Sequence, residues 1–281
     1  MKASSRQSLL CPRCRKLISR SEPACPYCGI SHPASWWRQA SAVRYYLQPG
    51  YIIRSLITVN IFLFALSVLL SPSAIRLTMN PFALLSPSNQ MLLLLGATGT
   101  IPIDRFHHWW SLLSAGYLHG GILHIFFNLM VLNQLAPFIV QEYGLSRMII
   151  IYTLGGIAGF YVSYLAGVPF TIGASAGLFA LIGAILYYAR SRGGAYGQML
   201  LKSIGGWVIG LFVFGLVFPG INKWAHGGGL AGGFALALGL GYREKKKETA
   251  FHRTLANCCV VATLLVLAWA VASALMFRFT S

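Results

Sequence analysis

Charge is scarce in this chain of 281 residues: 10% of positions are Asp, Glu, Lys or Arg, 56% are hydrophobic, and the mean hydropathy is positive. A soluble surface is not built from that mixture. Carboxylates are scarcest of all, five in total at Glu22, Asp104, Glu142, Glu244 and Glu248. Also missing is an apolar h-region near the start, where the chain is polar, basic and cysteine-bearing. No cleavable signal peptide is therefore expected, and the N-terminus is expected to stay where it was made. What is present in quantity is long apolar sequence. A helix crossing the hydrocarbon core needs about 20 mostly apolar residues. Seven stretches meet that need, at about 51–70, 119–141, 147–165, 173–189, 203–219, 226–242 and 255–277. The expectation is an all-α polytopic membrane protein.

Orientation follows from the 22 Lys and Arg residues, because positive flanks resist translocation. All but Arg76, Arg105, Lys223 and Arg278 fall before or at the start of the first span or in segments on the same side as its N-terminal end. This predicts a cytoplasmic N-terminus and an extracytoplasmic C-terminus. It also puts the 71–118 loop outside, together with the N-terminal ends of spans two, four and six. The net charge of +17 is explained by that distribution and by anionic lipid, and no nucleic acid partner is expected.

Residues 1–32 carry two Cys-x-x-Cys knuckles, Cys11 with Cys14 and Cys25 with Cys28. Each knuckle sets two thiolates on one tight turn, and two such turns complete a tetrahedral sulfur site suited to structural zinc. A reducing cytoplasm favours metal over disulfide there. The ribbon could serve as a structural cap, as a docking site for a cytoplasmic partner or as a regulatory sensor. Cys258 and Cys259, in the last span, read as buried small residues. Between the ribbon and the membrane domain at 51–281, residues 33–50 alternate aromatic with basic side chains (Trp36, Trp37, Arg38, Arg44, Tyr45, Tyr46), as a linker at headgroup level would. The 71–118 loop, punctuated by Pro72, Pro81 and Pro87, has runs too short to span and too apolar for water, so it reads as a lateral, partly submerged wall.

Polar groups inside a membrane are costly, and three clusters stand out. Ser175 sits in "TIGASAGLFAL", where Gly173, Ala174, Ala176, Gly177 and Ala180 clear bulk from around its hydroxyl, in a first turn whose N–H groups are free. His226 opens "AHGGGLAGG", in which Gly229 and Gly233 let a neighbouring backbone come near. At matching depth it is a candidate general base for Ser175, and Phe179, one turn on, would hold its ring. "HGGILHIFFN" places His124 and Asn128 on one helical face, with His119 just ahead. Two such donors with the Ser175 N–H would form an oxyanion hole, each donor worth about 3 kcal/mol. A metal site of His119, His124 and His226 is the weaker reading, since no carboxylate or cysteine joins them. Asp104 alone among the five acids lies on the serine's side, so a Ser-His dyad is more economical than a triad.

These motifs, in chain order HxxxxHxxxN, ExGxxR at Glu142 to Arg147, GxSx and AHxGGxxxG, together resemble the rhomboid intramembrane serine proteases over about residues 50 to 280. The resemblance implies a six-helix core plus a seventh C-terminal helix (6+1). It implies Ser175 as nucleophile, His226 as base, His124 and Asn128 in the oxyanion hole, and His119, Phe179 and Gly173 in support. Glu142, Arg147, Gly229 and Gly233 would be structural. The family cuts transmembrane substrates near the outer membrane face without a cofactor for catalysis. A bacterial plasma membrane is the expected location. Two positions differ from the family pattern: Ala176 stands where glycine is commonest, and Trp110-Ser111 replaces a Trp-Arg pair. The rival readings are a catalytically inactive rhomboid-like protein that binds membrane clients and, further off, a transporter.

Overall fold

The computed structural model describes residues 8–11, 14, 16–35, 49–71, 84–217 and 221–280. The aromatic and basic residues at 36–48, and Pro72 and Pro81, lie outside them. The chain divides into two compact units, Met1–Ser55 and Leu56–Ser281.

In the first unit, strands β1 (Ser8–Leu10) and β2 (Leu17–Ser19) pair antiparallel, Leu9 opposite Ile18. One face of this short hairpin is buried: Ile18, Cys11 and Cys25 form a small core, with Leu9, Ile30, Cys14 and Cys28 around it. So little apolar area cannot hold a fold of this size by itself, and such ribbons normally need a staple. Gly29, at φ +70°, closes the second knuckle, its N–H donating to the Cys25 carbonyl.

The second unit is helical. Seven long helices are α1 (Pro49–Leu69, which begins in the first unit), α4 (Ile122–Tyr143), α5 (Leu145–Leu165), α6 (Ser175–Arg192), α7 (Gly194–Val217), α8 (Lys223–Leu240) and α9 (Ala250–Thr280). The short helices α2 (Asn89–Leu94) and α3 (Ser111–Ser114) lie in the segment before α4. Among the described residues, four helices are long and apolar enough to cross a membrane: Gly50–Leu69, Ile122–Tyr143, Leu145–Leu165 and Ala250–Phe279. The sequence reading expected seven spans of that kind. Of the other three, α6 and α8 are 18 residues each and rich in glycine and alanine, and α6 is buried against its neighbours along most of its length, while part of α7 lies outside the residues whose side chains are described. The protein is a multi-pass, mostly helical membrane protein with a small cysteine ribbon ahead of its helices.

α6 is the centre: Ala176 through Ile185 are all buried, enclosed by α4, α5, α7 and α8. α8 lies along both α5 and α6 at backbone distance. A methyl group added at Gly233 would strike the Ala180 carbonyl, one at Gly183 would strike that of Leu230, and one at Gly159 would lie 2.5 Å from that of Ala225. Without a hydrophobic driving force in lipid, such close packing is what associates helices. On the periphery, Phe64 and Val68 of α1 pack with Ile125 of α4. In α9, Cys259 is buried but Cys258 is exposed, so the expectation of two buried cysteines holds for one only. Adjacent helical positions point about 100° apart and cannot both face the bundle.

At the junction of α4 and α5, Arg147 is fully buried and donates to the carbonyls of Tyr143, Lys246 and Lys247. The neighbouring Glu142 carbonyl accepts from the Arg243 N–H at 2.8 Å. A guanidinium fans out five N–H groups, which suits it to gather carbonyls from two chain segments.

Candidate active site

Ser175 is the first residue of α6 and follows Gly173, whose φ of +126° is a conformation that L side chains rarely adopt. The turn is anchored by the Gly173 N–H, which donates to the Ala115 carbonyl at 2.9 Å. Standing at the helix start, Ser175 has a backbone N–H with no partner inside α6. His226 is in the first turn of α8, and its Nε2 lies 2.9 Å from Ser175 Oγ. Phe179, one turn along α6, stacks on the imidazole with centroids 4.1 Å apart and planes within 14° of parallel.

The third cluster faces the same point. His124 Nδ1 accepts the Gly120 N–H at 3.2 Å. A ring nitrogen that accepts carries no proton, so in the neutral ring the proton sits on Nε2, which becomes a donor. That Nε2 lies against Gly173: a methyl group there would be 2.7 Å from it and 3.6 Å from Ser175 Oγ. Only a residue without Cβ leaves room between them. Asn128 Nδ2 donates to the His124 carbonyl of its own helix at 2.8 Å, so one amide proton is engaged locally where the sequence reading had both residues donating to a single point. His119 is fully buried edge-on to His124, with centroids 5.1 Å apart, and its ring nitrogens have no hydrogen-bond partner among the described residues.

Asp104, the one acid considered as a third member, accepts from the Tyr164 hydroxyl at 2.9 Å. Among the described residues no carboxylate is hydrogen-bonded to His226. The loop bearing Trp110-Ser111 is anchored without the arginine. Thr98 and Thr171 exchange both backbone bonds, at 3.1 and 2.7 Å, Ser111 Oγ donates to Thr98 Oγ1 at 2.9 Å, and Ser114 Oγ donates to the Gly96 carbonyl at 2.8 Å.

Sequence reasoning missed Asn222. Its Oδ1 accepts the Ala225 N–H at 3.0 Å, capping α8, while its Nδ2 donates to Ser163 Oγ at 2.6 Å and Thr171 Oγ1 at 2.9 Å. Asparagine just ahead of a helix is a capping signal, which could have drawn attention to it.

In the ribbon, one sulfur from each of Cys11, Cys14, Cys25 and Cys28 falls within 4.8 Å of every other. Burial pushes the Cys28 thiol up to about 12. Four converging thiols suit a metal ion, which would hold them as thiolates.

Residues 107–243 match the Rhomboid domain family model. The rhomboid protease GluP of Bacillus subtilis is 34% identical over 162 residues, covering 56% of this chain and 31% of that protein. RHOMBOID-like protein 4 of Arabidopsis thaliana is 30% identical over 157 residues, 55% of this chain and 40% of the relative. YdcA of Bacillus subtilis is 32% identical over 133 residues, 46% of this chain and 66% of the relative. The chain thus spans about a third to two thirds of the length of these relatives. The matched region runs from the anchored loop to the end of α8 and contains Ser175, His226, His124 and Asn128, so this part of the chain is a rhomboid domain.

Proposed function

We propose that the chain is an intramembrane serine endopeptidase that cuts transmembrane substrates with a Ser175-His226 dyad. The observation that carries the reading is the 2.9 Å contact between Ser175 Oγ and His226 Nε2, made between two helix starts within a membrane domain. A serine hydroxyl is a weak nucleophile alone and needs a base within hydrogen-bond reach. His226 Nε2 takes the hydroxyl proton as Oγ attacks the scissile carbonyl carbon. The negative charge passes to the carbonyl oxygen, where the Ser175 N–H and His124 Nε2–H, with the second Asn128 amide proton, stabilise it. His226 then gives its proton to the leaving amine. A water deprotonated by His226 releases the acyl group, and the serine regains its proton. Stacking on Phe179 keeps the imidazole oriented through these transfers, a role that a third carboxylate fills elsewhere.

A helical substrate must unwind at the bond to be cut, because its carbonyl is otherwise engaged in its own helix. In this reading the membrane domain occupies 51–281, preceded by a linker at 33–50 and a ribbon at 1–32 in which Cys11, Cys14, Cys25 and Cys28 hold a structural zinc ion. The N-terminus faces the cytoplasm, and the dyad opens toward the opposite face.

The test is cleavage of a model transmembrane substrate in proteoliposomes by wild type, Ser175→Ala and His226→Ala at matched protein levels. Cleavage that vanishes in both variants is the expected result. Cleavage that persists in either one overturns the dyad, and a folded wild type that binds the substrate without cutting it is a client-binding rhomboid-like protein.

A further inference from the structure

The dyad joins two helix starts that are distant in sequence, and a contact of 2.9 Å between side chains does not hold two helices in place by itself. Ser175 opens α6, and His226 lies in the first turn of α8. Thr171 comes four residues before Ser175, and Asn222 comes four residues before His226. The Asn222 side chain bonds Thr171 and also binds α5 and α8, so one amide ties together the approaches to both dyad residues.

Both donors and the acceptor atom of this amide are engaged. Both Nδ2 protons have an acceptor, Ser163 Oγ at 2.6 Å and Thr171 Oγ1 at 2.9 Å, and Oδ1 takes the Ala225 N–H at 3.0 Å. The Asn222 carbonyl accepts the His226 N–H itself, at 3.2 Å. The partners are buried: Ser163 exposes nothing, Ala225 2% and Thr171 7%. Asn222 itself is half-buried, but on the side of Ser163 and Thr171 water does not readily replace a bond that is lost, and leaving a buried hydroxyl unpaired is costly. The relay continues through the paired backbones of Thr171 and Thr98 to the buried hydroxyl of Ser111. The loop that walls the site and the two residues that react are thereby referenced to the same asparagine.

We propose that Asn222 and Thr171 are positioning residues that set the spacing of Ser175 and His226, and that their side-chain bond, beyond the ordinary helix cap, determines the reaction rate. This rests on the reading of the pair as a catalytic dyad. A cap alone requires the Oδ1 acceptor and nothing from Thr171. A positioning role requires the Nδ2 donor and the Thr171 hydroxyl together.

The two are separated by Asn222→Asp, which keeps an acceptor for Ala225 and loses both donors, and by Thr171→Val, which removes the acceptor while leaving the backbone pairing with Thr98. Thr171→Ser retains the hydroxyl and is the conservative rescue. The full chain, in detergent micelles or proteoliposomes, would be measured three ways: kcat and KM on a model transmembrane substrate, the rate of Ser175 labelling by a fluorophosphonate, and the imidazole 15N signals of His226 with Ser175→Ala as reference. Misplacement of reacting groups by a fraction of an ångström to an ångström costs roughly 10- to 100-fold in rate. Thr171→Val and Asn222→Asp are therefore expected to lower kcat and the labelling rate about tenfold or more, with KM little changed. The helical signal and unfolding midpoint should stay near wild type, Thr171→Ser should recover most of the rate, and the His226 signals should move toward those of Ser175→Ala.

Wild-type kcat and His226 signals in Thr171→Val would overturn the proposal, as would a rate loss in Thr171→Ser as large as in Thr171→Val. If wild type cuts nothing, yet its His226 signals respond to Ser175→Ala and to Thr171→Val alike, the protease reading fails and the positioning role stands. If wild-type signals match those of Ser175→Ala, there is no dyad contact to position and the proposal fails with it.

Discussion

Gly173 illustrates how much of the site depends on single atoms. Its φ of +126° and the 2.7 Å between a would-be Cβ and His124 Nε2 make alanine there doubly unfavourable. Gly173→Ala is expected to lower kcat by an order of magnitude or more while the chain still folds, read by cleavage kinetics alongside an unfolding midpoint; unchanged kcat would mean that the His124 donor is not used. At this scale the sequence was informative where a residue's chemistry is unusual for its surroundings. Ser175, His124 and His226 are polar groups in apolar helices, so their types alone mark them out. Asn222, Thr171 and Ser163 were not visible, because each has an ordinary local reading as cap, strand-like residue or helix hydroxyl. Their significance appears only when three elements meet, and spacing along one chain does not contain that meeting. Asn128 shows the complementary limit: its place on the face of His124 was legible, but its bond back to its own helix was not.

Helices α5, α6 and α8 are held by closeness, not by bulk. Gly233 faces the Ala180 carbonyl with no room for a methyl group, whereas Gly239, two turns further along α8, has nothing within 4 Å of a would-be Cβ. Gly233→Val should lower stability by about 1–3 kcal/mol or more, as overpacking does, and Gly239→Val should change little. Reversible unfolding in mixed micelles measures both, and equal effects would show that backbone contact does not hold α8 on α6. The glycine pattern was readable in sequence as a small-residue face, since Gly229 and Gly233 recur at helical spacing. The boundaries of membrane crossing were less so. Hydropathy registers what lipid touches, and α6 touches helices on nearly every side, which is why α6 is not among the four helices that pass on length and apolarity among the described residues.

Over the whole molecule, the division into two compact units separates a small domain with almost no core from a large one packed on backbone contacts. Metal removal should act on the first alone. Strong chelation is expected to release a metal ion, zinc in the proposed reading, and to collapse the ribbon's hairpin signal while the melting of the membrane unit stays in place, as elemental analysis with calorimetry would register. Retention of the hairpin without metal would reduce the four thiols to packing residues. The knuckles were plain in the sequence because Cys-x-x-Cys fixes local geometry within a single turn.

The lengths of the helices carry one more consequence. At 1.5 Å per residue, the 18 residues of α6 or α8 reach about 27 Å, short of a hydrocarbon layer about 30 Å thick. The 31 residues of α9 reach about 46 Å, well beyond it. One scaffold therefore asks two different thicknesses of the lipid around it. The bilayer can satisfy both by pinching beside α8, whose Trp224 and Leu238 are exposed, and letting the long one lean. Lipid chain length then becomes a control on the reaction without touching a residue: lengthening the acyl chains of the vesicles should slow cleavage through hydrophobic mismatch, and a rate indifferent to chain length would show that the short helices are shielded from the surrounding lipid.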